Sequence, residues 1–188
     1  MPIFLNAEEI HQLLELAKRS SPRDYALFQL MASTGLRESD ALAIRRKDIL
    51  NHDGTVAYSL RLRMKKTGKI VERALTNQTR ESITAYLRTA TKSSWLFSGE
   101  LPDRPLSRRT LHRIFKRHLQ SLFGIGVSLQ GSSTHTMRRS VAALVADNRD
   151  IQSAAYFLGH TSIANTIRYL SKKKMALNVD SLMEEIQL

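Results

Sequence analysis

Apolar positions in this chain recur mostly at three- and four-residue intervals, the period of a helix with one buried face. After Asn6, which can cap a helix start, they fall at Ile10, Leu13, Leu14 and Ala17. Pro22 suits a helical first turn and opens a second run through Tyr25, Leu27, Phe28, Leu30 and Met31, which Thr34-Gly35 ends. A third helix is expected from about Arg37 through Ala41, Leu42 and Ile44. The period then changes. Between Thr55 and Met64, Val56, Tyr58, Leu60 and Leu62 alternate with polar residues, and Thr67-Gly68 turns the chain into a second strand from Ile70 to Leu75. Helical spacing returns from Asn77 to Arg88, and Trp95-Leu96-Phe97 reads as a short buried piece. Further helices are expected at 107–122, 135–147, 151–158 and 162–170, with a last one from Asn178 to Gln187. The pattern predicts a mainly α chain with one small antiparallel β-hairpin, an α+β fold in a single domain spanning residues 1–188.

Composition narrows the partner. Twenty-nine lysines and arginines against 17 acidic residues leave a formal charge of +12 over 188 residues, which favours a polyanion. No apolar stretch approaches the roughly 20 residues that cross a bilayer, and Met1-Pro2-Ile3-Phe4-Leu5 does not read as a signal peptide. Hydrophobic residues at 42% are enough for a self-sufficient core, and the absence of cysteine excludes disulfides and zinc–thiolate sites. These features point to a protein of the reducing cytoplasm, bound to nucleic acid rather than membrane. A basic charge alone serves RNA as well as DNA.

Candidate chemistry lies in three separated segments: Arg37 at the start of its helix, His135-Thr136-Met137-Arg138, and Leu158-Gly159-His160 with Tyr169 nine residues on. A phosphoryl transition state gathers negative charge on non-bridging oxygens, and guanidinium groups meet it with permanent charge and paired donors. A lone arginine on a helix is ordinarily a solvated surface charge, and a histidine in a first turn usually serves a nearby backbone group. Their combination is what raises the functional reading. Among five tyrosines, Tyr25 and Tyr86 fall within amphipathic helices, Tyr58 alternates with Leu60, and Tyr156 lies in an apolar run; all four read as structural. Tyr169 follows a polar stretch and precedes Ser171-Lys172-Lys173-Lys174, where exposure is expected. A phenol titrates near 10, so it needs a base or cationic field to attack at neutral pH. The hairpin tip Lys65-Lys66-Thr67-Gly68-Lys69 would ordinarily be a solvated turn, yet a flexible lysine there can also protonate a departing oxygen.

Together, Thr34-Gly35-Leu36-Arg37-Glu38-Ser39-Asp40, the loop lysine, His135-x-x-Arg138, Leu158-Gly159-His160 and Tyr169 resemble the tyrosine recombinases, the phage integrase family, in order and spacing from about Phe4 to Tyr169. The resemblance implies that the Tyr169 phenol attacks a DNA phosphate to give a 3′-phosphotyrosine. Arg37 and Arg138 would hold the non-bridging oxygens, His135 would assist proton transfer, and His160 would hydrogen-bond the phosphate. Lys66 would be the general acid, with Lys65 and Lys69 as alternatives. Asp40 matches an acidic framework position often held by glutamate, Met137 stands where leucine is usual, and Arg139 where histidine is common. No nucleotide cofactor or metal is expected.

The partner implied is double-stranded DNA, bound by a homo-oligomer forming a tetrameric synapse, with DNA-bending accessory proteins as further candidates. Arg109, Arg113, Lys116 and Arg117 share one side of their helix opposite Leu111, Ile114, Phe115 and Leu122, and are expected to contact DNA. The apolar tail (Met175, Leu177, Val179, Leu182, Met183, Ile186) closes its own core or, as the resemblance implies for residues 172–188, docks on a neighbouring protomer. The DNA-clamping domain that precedes the catalytic part in most members is expected to be missing. This leaves a minimal recombinase, such as an invertase that flips a fimbrial promoter, or a fragment of a longer one. Rival readings are relaxation of the type IB topoisomerase kind and a non-catalytic DNA-binding regulator on the same scaffold.

Overall fold

The computed structural model describes residues 4–101, 103–126 and 128–174, the side chains of 172–174 excepted. Its helices are α1 (Ala7–Ser20), α2 (Pro22–Thr34), α3 (Glu38–Ala41), α4 (Asn77–Thr89), α5 (Arg108–Phe123), α6 (Thr134–Asn148), α7 (Ile151–Leu158) and α8 (Ile163–Lys174). Strands β1 (Ser59–Arg63) and β2 (Ile70–Ala74) pair antiparallel, with Leu60 opposite Arg73 and Arg63 opposite Ile70. The mainly α architecture with one small hairpin is as the apolar pattern predicts. The final helix expected from Asn178 lies outside the described residues.

Local chemistry accounts for most boundaries. Asn6 accepts the Glu9 N–H while the Glu9 carboxylate accepts the Asn6 N–H, a reciprocal cap for α1. Ser21, Thr76, Ser107, Ser133 and Asp150 cap the starts of α2, α4, α5, α6 and α7 with their side chains. Two elements are shorter than expected. The third helix closes after one turn at Ala41, and the first strand begins at Ser59 because Val56 instead bridges to Leu50.

Packing forms two apolar clusters. The larger holds Leu13, Leu27, Phe28, Ile83, Phe97 and Phe115, all fully or almost fully buried, and joins α1, α2, α4 and α5. The smaller gathers Ala142, Ala143, Ala154, Leu158 and Leu170 from α6, α7 and α8, with Phe157 and Tyr169 packed against it. Trp95 is only half-buried: its ring lies 3.3 Å from the Arg45 guanidinium, while Leu96 and Phe97 go into the core.

Gly35 joins the two clusters. It ends α2 in the left-handed conformation (φ 63°), and a Cβ there would come within 2.7 Å of the Phe157 carbonyl oxygen and ring. This close approach seats the end of α2 on α7 and brings the segment that follows it to the C-terminus of that helix. Gly35→Ala is expected to cost at least about 1–2 kcal/mol from the left-handed backbone alone, with more from the clash. Thermal unfolding should register a fall of about 3 °C or more; an unchanged midpoint would show that the α2–α7 contact yields freely.

Candidate active site

Arg37, Asp40, the lysine hairpin, Arg138, His160 and Tyr169 come together where the two clusters meet. Arg37 is the N-cap of α3, delivered there by the Gly35 turn. Arg138 lies one turn into α6, 2% exposed, and its Nη2 donates to the Leu158 carbonyl at 2.6 Å. That carbonyl is at the C-terminus of α7, where helix carbonyls lack intrahelical partners and the dipole favours a cation. Gly159 then takes a left-handed turn (φ 65°), and the His160 N–H closes back on the Ala155 carbonyl at 2.9 Å. The His135-x-x-Arg138 and Leu158-Gly159-His160 motifs are thus one physical unit, a buried guanidinium clamping the turn that aims the second histidine. A second buried arginine, Arg73 of β2, donates to the Tyr156 carbonyl at 3.2 Å and ties the hairpin to the same helix end.

Asp40, expected to be a framework residue, reaches the hairpin. It is 1% exposed, and its Oδ1 accepts the backbone N–H of Lys65 at 2.9 Å, anchoring the hairpin one residue before Lys66. Lys65, Lys66 and Lys69 are exposed, and the Lys66 charge is felt at His160.

His160 Nδ1 lies 3.0 Å from the hydroxyl of the fully buried Thr166, and its ring meets Tyr169 edge-on, with centroids 5.7 Å apart. Tyr169 is half-buried rather than exposed. Its hydroxyl is covered and, though within the influence of Arg138, takes no hydrogen bond of acceptable geometry. Arg37 Nη1, Arg138 Nη1 and Asp40 Oδ2 are also buried and unpartnered. Buried polar groups are nearly always paired, and leaving one unpaired is costly. Guanidinium donors and a phenol left open in one place match a ligand that brings several acceptor oxygens.

The electrostatics are those of a cationic enclosure. Burial, then the charge of Arg37, pushes the Arg138 guanidinium down to about 10; the two arginines therefore sense each other directly, and Arg138 stays charged at neutral pH. Burial, then Arg138, Arg37 and Lys66, depresses His160 to about 4, so its imidazole is neutral at pH 7. His135 stands on the exposed side of the first turn of α6. Partial covering of its ring, then Arg138, Arg139 and His112, lowers its proton affinity, while Glu38 opposes them. Burial raises the Tyr169 phenol above its ordinary value, and Arg138, Arg139 and Arg37 hold it back only in part. Among the described residues no group of histidines and carboxylates is arranged to hold a metal ion.

Other tyrosines correct the sequence reading. Tyr25 and Tyr86 are buried as expected, but Tyr156 is 76% exposed and Tyr58 72% exposed, the latter with its ring 3.7 Å from the Arg80 guanidinium. In the apolar run Ala154-Ala155-Tyr156-Phe157-Leu158 the helical turn puts the alanines and Leu158 inward and Tyr156 out. On α5 the expected division holds: Arg109, Arg113, Lys116 and Arg117 are exposed, and Leu111, Ile114 and Phe115 are buried, while Leu122 is half-buried. Arg113 and Arg117 line a cleft of about 620 Å³ with Arg23 and Arg104, which none of the residues grouped around Tyr169 lines. Sequence reasoning missed Glu38, Arg108, His112 and Thr134. Glu38 is 3% exposed and accepts hydrogen bonds from all three. A carboxylate directly after Arg37 was the available signal. Among the described residues no helix is long and apolar enough to cross a membrane.

The chain is similar to several known proteins. The chain is 26% identical over 164 residues to the probable integrase/recombinase YoeC of Bacillus subtilis, covering 87% of this chain and 85% of that protein. It is 32% identical over 155 residues to the tyrosine recombinase XerC of Rhodospirillum centenum, covering 78% of this chain but only 42% of the relative. The fold matches that of XerA recombinase with a TM-score of 0.74 at 21% identity, over 98% of this chain and 62% of that one. It matches XerH site-specific recombinase, bound to its difH substrate, with a TM-score of 0.76 at 22% identity, over 98% of this chain and 54% of that one. Residues 3–175 match the phage integrase family, and the chain belongs to that family, the tyrosine recombinases.

Proposed function

We propose that this chain is the catalytic domain of a site-specific DNA recombinase that cleaves and rejoins strands through Tyr169. The observation that carries the reading is the convergence of unpartnered, buried Arg37 and Arg138 donors with the covered Tyr169 hydroxyl. In this mechanism the two guanidiniums receive the non-bridging oxygens of a DNA phosphate, neutralising charge that grows in the transition state. The phenol oxygen attacks phosphorus as its proton passes toward His135, whose lowered proton affinity leaves it free to accept. The phosphorus–5′-oxygen bond breaks, Lys66 gives that oxygen a proton, and the DNA 3′ end remains joined to Tyr169 as a phosphodiester. Attack by a 5′-hydroxyl reverses each transfer and releases the enzyme. Neutral His160 donates to a phosphate oxygen from Nε2, the tautomer in which its Nδ1 accepts from the Thr166 hydroxyl 3.0 Å away. The exposed basic face of α5 contacts the duplex.

Assembly is part of the proposal. An apolar groove of about 400 Å³, lined by Ala143, Ala146, Ile151, Ile167 and Leu170, suits the apolar residues of the tail, supplied by a neighbouring protomer in a tetrameric synapse. Bending proteins would shape the DNA, and inversion of a promoter for phase variation is the finer outcome proposed. Flanking inverted repeats beside a surface-structure operon would support it.

The test is a duplex nicked beside the cleavage position, so that the released fragment is lost and the covalent intermediate accumulates. Wild-type protein is expected to yield an adduct that survives denaturation. No adduct on any cognate duplex, with binding intact, would favour a non-catalytic regulator. Plasmid relaxation without site preference would favour the topoisomerase reading.

A further inference from the structure

Glu38 is buried beside the site and has no part in the chemistry above. It follows Arg37 directly, and its side chain joins three segments. Arg108 Nε donates to Oε1 at 2.6 Å, His112 Nε2 lies 2.6 Å from Oε2, and the Thr134 hydroxyl donates to the same oxygen. Arg108 and His112 occupy the opening turns of α5, the helix whose basic face meets DNA in the proposed function. Thr134 is the first residue of α6 and precedes His135. One carboxylate therefore touches a residue adjacent to His135, the start of the basic helix, and through its own backbone the residue that carries the first guanidinium.

The chemistry of this node is specific. Burial alone would raise the Glu38 carboxyl, yet the hydrogen bonds from Thr134, His112 and Arg108 outweigh it and hold the group ionised below the ordinary glutamate range. A buried charge held by three directional bonds tolerates little displacement of any partner. Asp40, two residues on, has a separate task at the hairpin.

We infer that Glu38 is a positioning residue for strand cleavage, setting Arg37 and His135 in register with the DNA held by α5. The inference rests on the recombinase reading. Misplacement of reacting groups by about an ångström costs on the order of 100-fold in rate without a matching loss of binding. Glu38 also acts on His135 through charge. It favours the imidazolium, against the covering of the ring and the charges of Arg138 and Arg139 on α6 and His112 on α5. Removing the carboxylate charge therefore lowers the proton affinity of His135, and its basic form persists to lower pH.

The experiment compares the full chain with Glu38→Gln, Glu38→Asp and Thr134→Val on the nicked duplex, measuring DNA affinity and single-turnover adduct formation between pH 5 and 8. Glu38→Gln is expected to slow adduct formation about 10- to 100-fold, hold affinity within about threefold, and move the acid limb of the rate profile to lower pH. Glu38→Asp, which keeps the charge, should keep the limb in place. Thr134→Val preserves shape and loses only the hydroxyl; it should slow cleavage at unchanged affinity, which decides the matter if Glu38→Gln does not fold. Wild-type rate and pH profile in Glu38→Gln overturn the inference, as does a loss of affinity and thermal stability in step with rate. If wild type itself forms no adduct, the recombinase reading falls and the inference with it; an adduct in wild type with an unaltered Glu38→Gln overturns the inference alone.

Discussion

Tyr169→Phe is expected to bind DNA as well as wild type and to form no covalent adduct, its cleavage rate falling on the order of 10⁴-fold or more, as loss of a nucleophile does. The same variant should be about as stable as wild type. The Tyr169 hydroxyl is covered and lies beside the Arg138 guanidinium without a well-formed hydrogen bond, so its removal costs the fold little and the unfolding temperature should stay within about 2–4 °C of wild type. Inactivity with nearly unchanged stability marks a group kept for chemistry. Adduct formation at the wild-type rate would transfer the nucleophile to another tyrosine. Tyr25 and Tyr86 are buried away from the cluster, which leaves exposed Tyr58 and Tyr156.

Arg138→Lys should slow adduct formation by about 10²–10³-fold with little change in DNA affinity. The guanidinium works at both ends here: Nη2 holds the Leu158 carbonyl while Nη1 stays open for an oxygen of the ligand. An ammonium is a point charge on a flexible stem and cannot satisfy both positions with fixed geometry. Burial that draws an arginine down to about 10 also draws a lysine below its ordinary value, so part of the population loses its charge as pH rises toward 8 and beyond. The deficit should therefore widen with pH. Single-turnover cleavage across pH 6–9 checks this; rates within about threefold of wild type would remove Arg138 from transition-state binding.

Much of the fold was legible because its signals are local. Asn6 and Pro22 mark helix starts, Gly35 marks a stop, and Thr67-Gly68 a hairpin turn; each acts within a few residues, and each appears where the pattern put it. The errors arose where a residue's surroundings come from far along the chain. Tyr156 lies among apolar neighbours in sequence yet faces outward, because the outcome depends on which side of α7 meets α6. Tyr169 beside a lysine run suggested exposure, yet its hydroxyl is covered by packing against His160 and the smaller core cluster. Glu38 was named within the motif around Arg37 but given no role, because its partners lie 70 to 96 residues away.

The sequence by itself determined the mainly helical class, the cationic character, the family, and which residue types were available for phosphoryl chemistry, since periodicity, turn residues and motif spacing are properties of the chain. Only the tertiary structure decided that Arg138 clamps the turn before His160, that Asp40 holds the lysine hairpin, and that the Tyr169 phenol is enclosed. Those facts depend on burial and on the direction of side chains from separate elements, and both exist only once α2, α6, α7 and α8 have packed together.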